Sequence, residues 1–135
     1  MAKIDPAKLW SLNYRLITSV ITSVAADISA LGVEIKELFV LAEIDDHPYP
    51  AELAAQLCMP KPTVTANLKR LEAAGMVRRE IDMSDLRRHR LQLTPAGRKI
   101  VVRGLELLSD AFGARLGKLT SGEQAELRGL LEKMS

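Results

Sequence analysis

The sequence predicts an α+β chain that is mainly helical, and three observations support this fold class. Apolar residues recur every three or four positions at both ends of the chain, which is the period of one helical face. Two short helical patterns in the middle are separated by only three residues, 58–60. After Gly75 the period changes to the alternation of a strand. The 135 residues suit one compact domain.

The first helix is predicted from Pro6 to Leu31. Asp5 is a suitable N-cap, and Pro6 fits the first helical position because its missing N–H is not needed there. Gly32 is predicted to end this helix. A second helix follows over residues 34–44, and two aspartates with two prolines make residues 45–50 a turn. The apolar face of the first helix comprises Leu9, Leu12, Leu16, Val20, Val24, Ile28 and Leu31.

The central segment predicts a helix-turn-helix. Residues 51–57 form the first short helix, and residues 61–74 form the second, which Gly75 ends. The second helix buries a stripe at Val64, Leu68 and Leu71 and directs polar and basic side chains outwards.

A β-hairpin with a basic tip is predicted next. Its strands cover residues 76–81 and 88–93, and the polar segment 82–87 forms the turn. Thr94 and Pro95 begin a helix that runs to about Arg115, and a capping box at residues 120–123 opens the last helix. A helix-turn-helix followed by such a hairpin is a winged helix.

The composition excludes several classes of protein. Aromatic residues make up 4% of the chain, so the core is aliphatic. The longest apolar stretch, residues 16–26, is too short to span a membrane, and no secretory signal is predicted. Cys58 has no partner for an internal disulfide, and with His47 and His89 it makes a poor metal-ligand set. We therefore expect a cytoplasmic protein without a metal or cofactor.

Positive charge is concentrated in residues 61–103. This block holds eleven basic and four acidic residues, a net charge of +7, whereas the whole chain carries only +2. A concentrated positive field attracts a polyanion, although a solvated basic surface is the plainer interpretation of any single arginine.

A winged helix with this charge fits duplex DNA. The second helix of the motif is narrow enough for the major groove, where base edges are distinguishable. Long basic residues are expected to hold phosphates, and Thr63 and Thr65 lie where base edges would be read. The residues predicted to contact DNA are Lys61, Pro62, Thr63, Thr65, Asn67, Lys69 and Arg70 on the helix and Arg87, Arg88 and Arg90 on the wing.

Residues 50–97 resemble the MarR (multiple antibiotic resistance regulator) family of winged-helix transcription factors. The motifs that carry the resemblance are Glu52-Leu53-Ala54, Pro62-Thr63-Val64-Thr65, Leu71-Glu72-Ala73-Ala74-Gly75-Met76-Val77-Arg78-Arg79, the wing pattern Asp82-x-x-Asp85-x-Arg87, and Leu93-Thr94-Pro95-Ala96-Gly97.

The resemblance implies a homodimer that binds a palindromic operator as a repressor and responds to a small molecule or an oxidant. It implies dimerisation helices within residues 1–32 and 98–135, with the DNA-binding region at 33–97, all within one domain. Arg87 matches the family's wing arginine that enters the minor groove, and Asp85 matches the residue that orients it.

Several alternatives remain open from the sequence. Cys58 is either a redox sensor or a small, partly buried turn residue. Trp10 and Tyr14 either pack in the core or interface, or line a pocket for an aromatic effector. A protein-interaction module without operator binding is one alternative function. A small enzyme is another, although no catalytic residues or catalytic motif are apparent.

Overall fold

A computed structural model describes residues 3–135, which form six helices and two strands. This mainly helical α+β architecture confirms the predicted fold class. The elements in chain order are α1 (Pro6–Ala30), α2 (Ile35–Glu43), α3 (Pro50–Leu57), α4 (Lys61–Ala73), β1 (Val77–Asp82), β2 (Asp85–Leu93), α5 (Pro95–Leu116) and α6 (Ser121–Met134).

The chain divides into two compact units. The first contains the described residues up to Val24 together with Glu106–Ser135, and the second contains Ala25–Leu105. The division into dimerisation helices and a DNA-binding region stays a prediction, and its first two residues, Met1 and Ala2, lie outside the described part of the chain.

The core of the second unit is aliphatic, as the composition predicts. Helices α2, α3 and α4 pack on one another. Apart from Glu37, their buried side chains are leucine, valine and alanine, which fits a chain with few aromatic residues. The largest fully buried side chains are Ile28, Val33, Leu38, Val40, Leu41, Ile44, Leu53, Val64, Leu68, Leu71 and Leu91.

Helix α4 forms as the sequence predicts. Val64, Leu68 and Leu71 are buried, and Gly75 follows the helix with a φ of +76°, a left-handed conformation that glycine adopts without strain. The N-cap residue is Pro60, whose carbonyl oxygen accepts from the amides of Thr63 and Val64 at 3.1 and 3.2 Å.

The hairpin is longer at its tip than the sequence predicts. Strand β2 begins at Asp85, so the turn consists of Met83 and Ser84 alone. The prediction of a turn over residues 82–87 was therefore wrong in its extent. Pairing runs regularly from Val77 opposite Leu93 to Ile81 opposite His89, and then Asp82 pairs with Asp85 across a register shift. Residues 86–88 lie between these two pairs without a partner in β1, so the ladder is irregular near the tip.

The base of the hairpin is fastened to its neighbours by hydrogen bonds. The amide of Leu91 donates to the carbonyl of Pro48 at 2.8 Å, which joins β2 to the α2–α3 turn. The hydroxyl of Thr94 donates to the carbonyl of Gly75 at 2.6 Å and accepts from the amide of Gly97 at 3.1 Å. Thr94 therefore caps α5, as predicted, and also joins that helix to the end of α4.

The first unit contains long helices with many exposed apolar side chains. The predicted capping box opens α6: the amide of Glu123 donates to the hydroxyl oxygen of Thr120 at 3.2 Å, and the Glu123 carboxylate accepts from the Thr120 amide at 2.9 Å. Between residues 3 and 135 no single helix is long and apolar enough to cross a membrane, and only α1 with α2, as a bent pair, meets that test of length and composition.

Two glycines of α5 allow a matched test of the packing. A Cβ atom at Gly97 would collide with the carbonyl of Met76, which itself accepts from the Thr94 amide, whereas a Cβ at Gly113 would meet nothing within 4 Å. We expect Gly97→Ala to lower the free energy of unfolding by about 1–3 kcal/mol because the backbone has to shift. We expect Gly113→Ala to raise it by about 0.5–1 kcal/mol.

Thermal and urea unfolding of both variants measures these changes. Equal stability of the two variants would contradict the close approach of α5 to Met76.

Candidate nucleic-acid interface

The exposed face of α4 carries most of the helix residues that the sequence predicts as DNA contacts. Lys61, Pro62, Thr65 and Lys69 are exposed, and Thr63 is half-buried. The buried stripe of Val64, Leu68 and Leu71 lies on the opposite side, which is why these polar side chains face outwards. The structure thus presents short hydroxyl side chains between two lysines.

Asn67 does not share this face. It is half-buried, and its Nδ2 atom is buried without a hydrogen-bond partner among the described residues. The reason is its helical position, three residues after Val64 and four before Leu71, which turns it towards the core. The prediction of a DNA contact by Asn67 is therefore not supported by the placement of its amide nitrogen.

The Arg70 side chain is about half exposed, but its guanidinium group is paired with other groups of the protein. Its Nε and Nη2 atoms donate to the two carboxylate oxygens of Glu37, the latter at 2.6 Å, and Nη2 also donates to the carbonyl of Gly32 at 3.1 Å. Glu37 is only 5% exposed. The predicted role of Arg70 as a phosphate contact is therefore opposed by an internal bidentate ion pair.

The pKa of Glu37 reflects these contacts. Burial raises it, but the hydrogen bonds from Arg70 and from the Glu34 amide outweigh burial and hold the pKa below its ordinary value of 4.5. The hydrogen bond to Glu37 likewise raises the pKa of Arg70. The pair is therefore ionised at neutral pH.

The wing presents Arg87 to solvent. Its side chain is 93% exposed and lies in the irregular part of β2, not at the tip, where Met83 and Ser84 form the turn. Asp85 accepts from the backbone amide of Arg87 at 3.1 Å and from its Nε at 3.5 Å. The contact that the sequence predicts between Asp85 and Arg87 is thus present through one carboxylate oxygen, not as a bidentate pair.

Arg88 connects the wing to the start of α3 through two contacts. Its guanidinium carbon lies 3.7 Å from the centre of the Tyr49 ring, and Nη2 lies 3.5 Å from a carboxylate oxygen of Glu52. The Tyr49 hydroxyl in turn donates to Asp82 at 2.7 Å. These contacts join both strands of the hairpin to the start of α3, so the predicted DNA contact of Arg88 competes with a structural role.

Asp82 also accepts from the amide and hydroxyl of Ser84, at 2.9 and 2.6 Å. These bonds, and then the one from Tyr49, hold the pKa of Asp82 well below its usual range. The hydrogen bond to Asp82 raises the pKa of Tyr49.

Arg90 is exposed, and its partner in the β1–β2 pairing is Glu80.

Cys58 and the aromatic pair of α1 take part in none of the hydrogen bonds or ion pairs described above. Cys58 follows α3 with a φ of +53° and is exposed, so the prediction of a partly buried residue was wrong.

Trp10 and Tyr14 are 64% and 58% exposed in the single chain, with ring centres 6.3 Å apart. An apolar concavity of about 760 Å³ in the first unit, between α5 and α6, is lined by other residues, among them Phe112, Leu116 and Leu127.

Sequence reasoning missed Glu37 and Tyr49. Glu37 lies four residues from both Val33 and Leu41, on the apolar stripe of α2, and a carboxylate on such a stripe requires a cationic partner. That signal was available in the sequence. Tyr49 gave no comparable signal, because its partners are 33 and 39 residues further along the chain.

Comparison with known proteins identifies the family. Residues 31–88 match the sequence pattern of the MarR family. The HTH-type transcriptional repressor Rv2887 of Mycobacterium tuberculosis is 31% identical over 136 residues, which cover 99% of this chain and 98% of that protein. The chain belongs to the MarR family. It is therefore a DNA-binding transcriptional regulator with a winged helix.

Solved structures of MarR family proteins have the same fold. The crystal structure of Rv2887 in complex with salicylic acid has a TM-score of 0.76 and 30% identity, and the alignment covers 100% of both chains. The reduced form of MarR from Escherichia coli has a TM-score of 0.79 and 26% identity, with 98% of each chain covered. The winged-helix assignment is thus confirmed over the length of the chain.

Proposed function

We propose that this MarR family protein represses transcription by placing α4 in the major groove of an operator and its wing beside the minor groove. The exposed polar face of α4, in the same compact unit as an exposed wing arginine, is the observation that carries the proposal. Lys61 and Lys69 would hold phosphates, and Thr63 and Thr65 would read base edges.

The wing contributes charge and shape recognition in this proposal. Arg87 would enter the minor groove, where a guanidinium loses less hydration than an ammonium group and meets the negative potential of a narrow A·T tract. Asp85 would limit its freedom before binding, and Arg90 would contact the backbone. Arg70 and Arg88 would act by holding the two reading elements, because their guanidinium groups are occupied within the protein. Asn67 would not contact DNA through its buried amide nitrogen.

We propose a homodimer held by the helices of the first unit. Leu9, Leu12, Leu130 and Leu131 are each about half exposed in the single chain, which is more apolar surface than a monomer needs to leave in water. A two-fold dimer suits a palindromic operator, because each half-site then receives an identical α4.

We propose that a small aromatic acid releases the operator. The related protein Rv2887 has been crystallised with salicylic acid and with p-aminosalicylic acid. In this chain Trp10 and Tyr14 are the aromatic candidates for such a site, and they are exposed four residues apart on α1.

We also propose that the protein acts in the cytoplasm, because a regulator that binds chromosomal DNA acts there. Membership in this family supports a protein without catalytic activity.

The first test is the selection of genomic fragments, followed by footprinting on the fragment bound most tightly. On that operator we expect Arg87→Ala to lose about 1–3 kcal/mol of binding free energy, the range for one specific contact. Its thermal unfolding should not change, because the side chain is almost fully exposed.

Lys118→Ala removes one positive charge from the turn between α5 and α6 and serves as the control. Equal affinity of Arg87→Ala and the parent at fixed salt would exclude a wing contact. A chain that selects no fragment would instead favour a protein-interaction module.

The dimer predicts a mass by light scattering of twice the 14.9 kDa of one chain. Leu131→Asp should shift the mass to that of one chain, because a charge would then lie in the apolar contact. Leu86→Asp places the same substitution at an exposed leucine of the wing and should leave the mass unchanged. A monomeric parent that still binds the operator would contradict the proposed assembly.

The effector proposal predicts that salicylate weakens operator binding and changes the fluorescence of Trp10, the one tryptophan of the chain. Cyclohexanecarboxylate carries the same charge without an aromatic ring and should do neither at equal concentration. Release of the operator without a fluorescence change would place the effector away from Trp10. No effect of salicylate on either signal would contradict the proposal for this ligand class.

A further inference from the structure

Glu37 is the only charged residue that is buried among residues 3–135. A buried carboxylate is unfavourable unless it is paired and hydrogen-bonded. Glu37 meets this requirement through two donors of Arg70 and the amide of Glu34, which lies 2.8 Å away. The arrangement is therefore specific and depends on one arginine at the end of α4.

The same guanidinium reaches a second element. Its Nη2 donates to the carbonyl of Gly32, a residue with a φ of +95° in the turn between α1 and α2. Arg70 thus joins the last turn of α4 to the α1–α2 turn and to the first turn of α2. We call this set of contacts, made by Gly32, Glu37 and Arg70, the α4 clamp.

The contacts of Arg70 fix the orientation of α4, which burial of its apolar stripe does not do. Burial of Val64, Leu68 and Leu71 is favourable but non-directional, so it tolerates a small rotation or slide of the helix. A bidentate guanidinium–carboxylate pair fixes both distance and orientation. The clamp therefore restrains the rotation of α4 about its axis, and that rotation decides where Thr63 and Thr65 point.

We expect the clamp to weaken any contact of Arg70 with a phosphate. Its charge is compensated by Glu37 at hydrogen-bond distance, so it attracts little additional phosphate charge. Its neighbour Lys69 is exposed and lies one residue away on the same helix. Lys69, which we propose to hold a phosphate, is therefore the control against which the variants of Arg70 are compared.

We propose that Arg70 and Glu37 are positioning residues that set the preference of this protein for its operator over other DNA. The proposal rests on the proposed function and names a determinant of its specificity. The alternative is that Arg70 holds a phosphate and that Glu37 only weakens this contact. The two accounts predict opposite results for the removal of the Glu37 charge.

The test measures the affinity of each variant for the selected operator and for a random duplex over a series of salt concentrations. Glu37→Gln removes a negative charge, so the phosphate account predicts tighter binding to both DNAs. The clamp predicts that operator affinity falls about tenfold, as for a misaligned specific contact, while affinity for random DNA changes less than about twofold.

Arg70→Lys is a second test that distinguishes the clamp from a phosphate contact. If Arg70 holds a phosphate, binding should stay near that of the parent, because lysine is an adequate phosphate ligand. If Arg70 forms the clamp, the contact is lost, because lysine has no planar fork and cannot make the bidentate pair. We expect Arg70→Lys to lose operator preference as Glu37→Gln does, and the double variant to lose no more than either alone. Lys69→Ala should weaken binding to both DNAs and reduce the salt slope by about one.

Thermal unfolding of each variant establishes that it is folded at the temperature of the binding assay. A parental operator preference in folded Glu37→Gln and Arg70→Lys would overturn the clamp while leaving the proposed function intact. A parent chain without any preferred duplex would overturn both.

Discussion

The burial of one aliphatic stripe on α4 is the constraint on which the DNA-facing surface depends. Val64, Leu68 and Leu71 are 1% exposed or less, and they occupy one side of the helix. Once these side chains are fixed in the core, Thr65 and Lys69 have to face outwards. The apolar stripe therefore decides which residues are presented to DNA, and directional contacts such as that of Arg70 with Glu37 refine how they are presented.

Elements that depend on local signals were predictable from the sequence. The end of α4 at Gly75 follows from left-handed glycine geometry, and the start of α6 follows from a capping box within four residues. The tip of the hairpin was not predictable in the same way. Strand β2 begins at Asp85 and continues through an irregularity of the ladder at residues 86–88, although the polar residues of this segment favour a turn by propensity.

The site was predictable to the extent that side-chain direction follows from helical period. That period places Lys61, Thr65 and Lys69 on the exposed face, and it also explains why Asn67 turns inwards, although the latter was not foreseen. The partners of Arg70 and Arg88 could not be read in this way. Glu37 lies 33 residues before Arg70, and Glu52 lies 36 residues before Arg88, so only the tertiary fold brings them together.

The pairing pattern changes how the basic block should be understood. The net charge of +7 over residues 61–103 counts only the acids inside that segment. In the folded chain Arg70, Arg88 and Arg98 pair with carboxylates from outside it, namely those of Glu37, Glu52 and Asp45. The basic residues therefore divide into those that pair with carboxylates brought near by the fold and those, such as Arg87, whose side chain is almost fully exposed. A linear charge count overstates the field that reaches DNA, because a compensated arginine contributes to orientation more than to attraction.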